Sequence, residues 1–150
     1  MVIVFCDGLC EPNPGGVATY GWLAYRDCAE IMRERVMARY GVVCSGPGAT
    51  SNVAEYTAVI RALEWLIKNG YAGEEIEVRS DSQLVVRQLT GQYAVNAPLL
   101  MPLYRKAREL ASRFASVRFR WVPREENETA DTLSRRAYYR YTGREAIKRV

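Results

Sequence analysis

The chain has 150 residues, enough for one domain with its own core, and its 49% apolar and 25% charged residues are ordinary for a globular protein. No apolar run approaches the roughly 18 residues of a membrane span, and the first apolar stretch has no basic leader and breaks at Asp7, so neither a membrane segment nor a signal peptide is expected and the chain reads as cytoplasmic. Histidine is absent, which excludes Ser-His and Cys-His nucleophile schemes and leaves carboxylates and metal ions as the tools of any enzyme here.

The net charge of +4 is unevenly spread: residues 1–100 carry −3 and residues 101–150 carry +7. A basic C-terminal third suits a polyanionic partner, and equally a solvated basic helix surface. Cys6, Cys10, Cys28 and Cys44 form no CxxC pair, so a structural zinc site is not expected. Free thiols are the reading, with a disulfide left open.

Residues 2–8 read as a strand and "EPNPGG" (11–16) as turn material. Residues 17–25 and 30–40 read as second and third strands, joined by a link short enough for a hairpin, and 44–50 as a loop. "TSNVAEYTAVIRALEWLIKNGY" (50–71) is the clearest helix. Thr50, Ser51 or Asn52 can cap it, Asn69-Gly70 closes it, and Val59, Ala62, Leu63, Leu66 and Ile67 form its apolar stripe. A strand at 75–80 is followed by a short helix at 81–91, with Asp81 as candidate N-cap. A helix at 97–114, a strand at 116–123 and a last helix at 126–142 complete the chain. Three antiparallel strands followed by strands alternating with helices imply a mixed α/β sheet with helices packed on it, in a single domain spanning 1–150, whose C-terminal tail (138–150) is read either as packing on the sheet edge or as adding phosphate contacts.

Four acids sit where elements end or turn inward. Asp7 ends the first strand. Glu55 lies four residues before Val59, on the face that meets the sheet. Asp81 follows the fourth strand, and Asp131 opens the last helix. Each has a local reading: a turn-fixed acid for Asp7, a capping box from Asn52 for Glu55, a helix cap for Asp81, an ion pair with Arg135 for Asp131. If the four converge without counter-charge, they repel. A divalent cation resolves this, since Mg²⁺ prefers carboxylates and water. Two such ions can also drive phosphodiester hydrolysis without histidine.

"FCDGLCEPNPGGVATYGW", "TSNVAEYTAVIRAL", "SDSQLVVRQLTG" and "WVPREENETADTLSRRA" resemble, in order, the four signature segments of type 1 ribonuclease H. The resemblance spans residues 2–138. It implies the ribonuclease H-like fold: a five-stranded mixed sheet, three strands antiparallel and two parallel, with helices on both faces. It also implies a metal-dependent endonuclease cutting the RNA strand of RNA–DNA hybrids to 5′-phosphate and 3′-hydroxyl ends, acting as a monomer. On that resemblance Asp7, Glu55, Asp81 and Asp131 hold two Mg²⁺ ions, for which Mn²⁺ can substitute. Asp7 bridges the two, Asp131 serves the water-activating ion, and Glu55 and Asp81 serve the ion at the leaving oxygen. Asn13, Asn52 and Gln83 match residues of minor-groove contact and Thr50 a DNA phosphate contact; Gly8 is counted with the substrate-binding residues, and so is Ser51, although it replaces a usual Asn and thereby weakens one groove contact. For these residues turn-forming and capping roles stay open beside substrate contact.

The departures are specific. The loop that carries a histidine in many members is shortened here to "PREE", leaving Arg124 as the candidate for phosphate handling or product release, with Glu125 and Glu126 as alternatives. The basic protrusion of many bacterial members is replaced by "GQYAVNAPLLMPLY", which has no Lys or Arg, so substrate grip is assigned to the basic C-terminal third. Compact archaeal and bacterial members share this layout, and some also cut RNA–RNA duplexes. Two competing classes remain: a catalytically idle binding module on the same fold, and a 3′–5′ exonuclease. The first strand's Asp7-Gly8-Leu9 lacks the Asp-x-Glu usual in such exonucleases. A dinucleotide-binding or P-loop protein is excluded by the absence of either glycine motif.

Overall fold

The computed structural model describes residues 1–29 and 32–146, with the side chains of Cys28, Ala29 and Met32 outside the description. The first residues expected in the third strand, the disulfide state of Cys28 and the end of the C-terminal tail therefore lie outside the described residues.

Strand β1 (Val2–Glu11) is the central plank. It pairs antiparallel with β2 (Val17–Ala29), from Val2↔Arg26 to Glu11↔Val17. On its other side it runs parallel to β4 (Glu75–Ser80), from Val2↔Ile76 to Cys6↔Ser80. β2 carries the antiparallel edge strand β3 (Met32–Ser45), and β4 carries the parallel edge strand β5 (Ser116–Trp121). The order β3-β2-β1-β4-β5 is the expected five-stranded mixed sheet.

The period-two alternation of β1 sends its side chains to two different layers. Val2, Val4 and Cys6 join Trp22, Ala24, Ile76 and Val78 in the main core. That face is covered by helix α1 (Ser51–Lys68), through Val59, Leu63 and Leu66, and by α3 (Met101–Ala111), through Ala107 and Leu110. The other face packs Leu23, with Phe5 and Tyr25 beside it, against Ala130 and Leu133 of α4 (Glu128–Thr142). Helices thus lie on both faces. The short helix α2 (Gln83–Leu89) is tied to α1 by a buried bond in which the Tyr56 hydroxyl donates to Gln88 Oε1 at 2.7 Å.

Several element ends differ from expectation. β1 runs on to Glu11 and β3 to Ser45, because pairing with β2 continues past Gly8 and Cys44. Thr50 caps α1, its hydroxyl accepting from Val53 N–H at 3.1 Å, so the capping box from Asn52 to Glu55 is not formed. Asp81 does not cap α2; Ser82 does, accepting from Val85 N–H at 3.2 Å. α3 starts at Met101 rather than 97, with Pro102 in its first turn, where a missing N–H costs nothing. α4 starts at Glu128 and stops at Gly143, whose φ of 73° ends the helix in the left-handed region.

Candidate active site

Parallel pairing of β1 with β4 ends at Cys6↔Ser80. The next residues are Asp7, which does not end its strand as expected but stays within β1 opposite Gly21 of β2, and Asp81, which follows the last residue of β4. α1 delivers the third acid. Gly8 makes this possible: a Cβ there would collide with the backbone of Ala54 and Glu55. The first turn of α1 therefore rests directly on β1, and Glu55 is buried against it. Asp7, Glu55 and Asp81 each bring a carboxylate oxygen to within 4.8 Å of the other two. Asp7 is fully buried.

The fourth expected acid stands apart. Asp131 is not in the group of three; its Oδ2 accepts from Arg135 Nε at 2.9 Å, one helical turn on. This pair is the local reading that the sequence offers for Asp131. Three converge, and the i, i+4 cation on α4 takes the fourth. Asp131 is nonetheless linked to Asp7 through Ser134, whose hydroxyl lies 3.2 Å from Asp7 Oδ2 and 2.8 Å from the Asp131 carbonyl. Its single proton goes to one or the other.

Two further residues fix this end of the sheet. Asn127, fully buried just before α4, donates from Nδ2 to the Cys6 carbonyl at 2.8 Å, anchoring the helix start to β1. Its Oδ1 has no hydrogen-bond partner among the described residues. Trp121 Nε1 donates to the Asp81 carbonyl at 3.2 Å and holds the strand end of β4. Ser134, Asn127 and Trp121 received no role from the sequence. All three sit inside the quoted fourth segment, yet only the fold shows what their polar atoms reach.

Of the other expected site residues, Asn13, Ser51 and Arg124 share a hollow with Glu55. Asn13 and Ser51 bracket each other: Asn13 Nδ2 donates to Ser51 Oγ and Ser51 N–H donates to Asn13 Oδ1, both at 3.2 Å. Thr50, Ser51 and Asn52 are half-buried at the start of α1, and Gln83 is exposed at the start of α2. Arg124, in the short 3₁₀ turn Arg124–Glu126, shares a hollow with Glu55, Asn13, Ser51 and Cys10. Glu125 and Glu126 face a different hollow, with Phe5 and Tyr25. Of the three residues considered for that loop, only Arg124 borders the acids.

The negative field at the site is visible in its neighbour. Burial first, then Asp7 and Glu55, push the Cys6 thiol far above its ordinary range. Cys6 is thus a neutral packing residue and not a nucleophile. Three clustered carboxylates are a poor arrangement by themselves and a good one around a hard divalent cation, whose preferred ligands are carboxylate oxygens and water. The donor set, all oxygen with no histidine or thiolate, fits Mg²⁺ or Mn²⁺ and disfavours zinc.

A family described as "Reverse transcriptase-like" matches residues 7–137. The chain is 39% identical over 140 residues to a protein named ribonuclease HI from Halobacterium salinarum, covering 91% of this chain and 63% of that one. It is 36% identical over 135 residues to a bifunctional protein of Mycobacterium tuberculosis, and spans about a third of that relative's length, 34%. Among solved structures, a ribonuclease H1 designated LC11, in complex with an RNA/DNA hybrid, superposes with a TM-score of 0.83 at 32% identity, covering 94% of this chain and 99% of that one. The H. salinarum crystal structure superposes with a TM-score of 0.82. The fold is therefore that of ribonuclease H. The chain belongs to the reverse transcriptase-like family, and within it sits among the type 1 ribonucleases H.

Proposed function

We propose that this chain is a metal-dependent endonuclease that hydrolyses the RNA strand of RNA–DNA hybrids, leaving 5′-phosphate and 3′-hydroxyl ends. The observation that carries the proposal is the gathering of Asp7, Glu55 and Asp81 to within 4.8 Å, where β1 runs past the C-terminal end of β4. The likeness to a structure bound to an RNA/DNA hybrid supports the choice of substrate. Residues 1–150 are read as one such domain, acting as a monomer in the cytoplasm. No described helix is long and apolar enough to cross a membrane.

Asp7, Glu55 and Asp81, with Asp131 at their side, would hold the cations. A bound pair of Mg²⁺ or Mn²⁺ ions supplies Lewis-acid stabilisation of the phosphoryl oxygens and a water acidic enough to attack at neutral pH. The chain's own residues position everything else. Asp7 projects from the central strand β1 and would serve as a ligand to both cations. Ser134 steadies its carboxylate, and Asn127 locks the start of α4 to β1 so that Asp131 keeps its distance. Arg135 holds the Asp131 carboxylate in a salt bridge until a cation competes for it. Arg124 presents a guanidinium beside Glu55, where it can pair with a phosphate of the scissile region or of the departing product. Gly8, Asn13, Thr50, Ser51, Asn52 and Gln83 form the rim that meets the hybrid. Glu55 borders that rim, close to where a ribose 2′-hydroxyl distinguishes RNA from DNA.

End-labelled RNA–DNA, RNA–RNA and DNA–DNA duplexes, incubated with Mg²⁺, Mn²⁺ or EDTA, test this with wild type and Asp7→Asn. The expected result is metal-dependent cutting of the RNA strand of the hybrid, abolished by EDTA and by Asp7→Asn. Cleavage that survives both overturns the mechanism. The RNA–RNA arm decides whether the activity extends to double-stranded RNA.

A further inference from the structure

The fold gives the basic C-terminal third a definite surface. Tyr40 on β3 is flanked by two guanidinium groups from successive turns of α4, Arg136 at 5.9 Å and Arg140 at 5.8 Å from its ring centre. Two tyrosines bound this basic centre. Tyr139 is 55% exposed and Tyr141 58% exposed, and among the described residues neither ring has an aromatic or cationic partner. No salt bridge among the described residues neutralises Arg136 or Arg140. Hollows lie on both sides of them, one against Tyr139, the other between Tyr141 and Tyr40.

Exposed aromatic rings cost hydration when nothing covers them, and adjacent unneutralised arginines repel. Both penalties disappear on the same ligand. A single strand of nucleic acid offers phosphates to the guanidiniums and an apolar base face to each ring. A duplex hides its bases and satisfies only the arginines. The placement also connects to the acids. Asp131, Arg135 and Tyr139 recur at intervals of four along α4, one drifting stripe, and Tyr139 lies about 12 Å along the helix from Asp131.

We propose that Tyr40, Arg136, Tyr139, Arg140 and Tyr141 form a second nucleic-acid site that takes single-stranded DNA or RNA flanking the hybrid. This rests on the hybrid-cleaving reading for its purpose, and on the patch alone for its chemistry. It holds the single-stranded flank and not the hybrid itself, and so favours hybrids with overhangs over blunt ones.

The test is binding of fluorescently labelled single-stranded oligonucleotides in EDTA, which needs no cleavage and so separates this proposal from the proposed activity. Wild type is compared with Arg136→Gln/Arg140→Gln and with Tyr139→Ser/Tyr141→Ser. The tyrosine pair is exposed, so its replacement leaves folding intact, as a thermal melt verifies. It is expected to weaken single-strand binding about tenfold. The arginine pair is expected to flatten the dependence of log affinity on log salt by about 1.4, two phosphates at about 0.7 each. Blunt-hybrid cleavage by both variants is expected to match wild type, while the advantage of overhangs is lost. Binding by the variants equal to wild type overturns the proposal. So does a wild type with no affinity for single strands, which assigns the patch to a protein partner instead.

Discussion

Asp7 concentrates the conflict between folding and function. It is fully buried, one residue from the core cysteine, and shares a 4.8 Å cluster with two more carboxylates. Crowding of like charges at a desolvated position is destabilising until a cation enters. Asp7→Asn keeps the shape and removes one charge. In EDTA it is expected to be more stable than wild type by about 1–3 kcal/mol, a rise of several degrees in Tm, while cleavage is lost. A lower Tm for the variant in EDTA would contradict the like-charge account. Arg124 tests the opposite kind of residue, one that folding does not need. Arg124→Ala is expected to slow turnover about 10- to 100-fold, the weight of one charged hydrogen bond to phosphate, with an unchanged melting curve. Steady-state kinetics equal to wild type would remove Arg124 from the site. At this scale the sequence was informative about acids, because a carboxylate at a strand end or on an apolar helix face stands out. It was silent on Asn127 and Ser134, since an asparagine before a helix and a serine within one are both common. Their reach to Asp7 and to the Cys6 carbonyl spans more than a hundred residues of chain.

Between elements, two glycines set how closely helices approach the sheet. A Cβ at Gly8 would strike the backbone at Ala54 and Glu55. On the opposite face, a Cβ at Gly21, the register partner of Asp7, would lie 2.6 Å from Leu133 Cβ and 2.8 Å from the Ala130 carbonyl. The site is thus assembled by pressing α1 and α4 onto neighbouring strands at one level of the sheet. Gly8→Ala is expected to cost about 1–3 kcal/mol by overpacking, and to cut activity by pushing Glu55 away from Asp7. Gly73→Ala, at a position with open space around it, serves as the control and is expected to be close to neutral in both. Equal behaviour of the two variants in urea unfolding and cleavage would show that the close approach is not what matters. The sequence located every strand and helix but misjudged their ends. It stopped the first strand at Gly8 because glycine marks turns, while the ladder with β2 carries the strand on to Glu11. It gave the cap of α2 to Asp81 because aspartate caps well, while Ser82 takes that place and the carboxylate turns to the cluster. In both cases a long-range partner outweighed a local preference.

Over the whole molecule, the net charge of +4 conceals a division of labour: three acids gathered where β1 runs past the end of β4, and Arg136 and Arg140 of α4 set against Tyr40 of β3. That division was visible as the charge split along the sequence. Its arrangement in space was not, because β3 and α4 meet only through the fold. Cations and stability are consequently linked. A ligand that binds only the folded state stabilises it by RT ln(1 + [L]/Kd), about 2.7 kcal/mol at a hundredfold excess over Kd. For a chain of this length that corresponds to a Tm shift of about 5–10 °C. Wild type is expected to gain this on adding Mg²⁺, whereas Asp7→Asn, lacking the shared ligand, gains little. The two effects act on the same repulsion, so they are not additive. The variant melts higher in EDTA, and wild type closes or reverses the gap in Mg²⁺. Melts at matched ionic strength, with NaCl replacing MgCl₂, separate site binding from screening. Equal Mg²⁺ shifts in the two proteins would mean that the carboxylate cluster does not hold the ion.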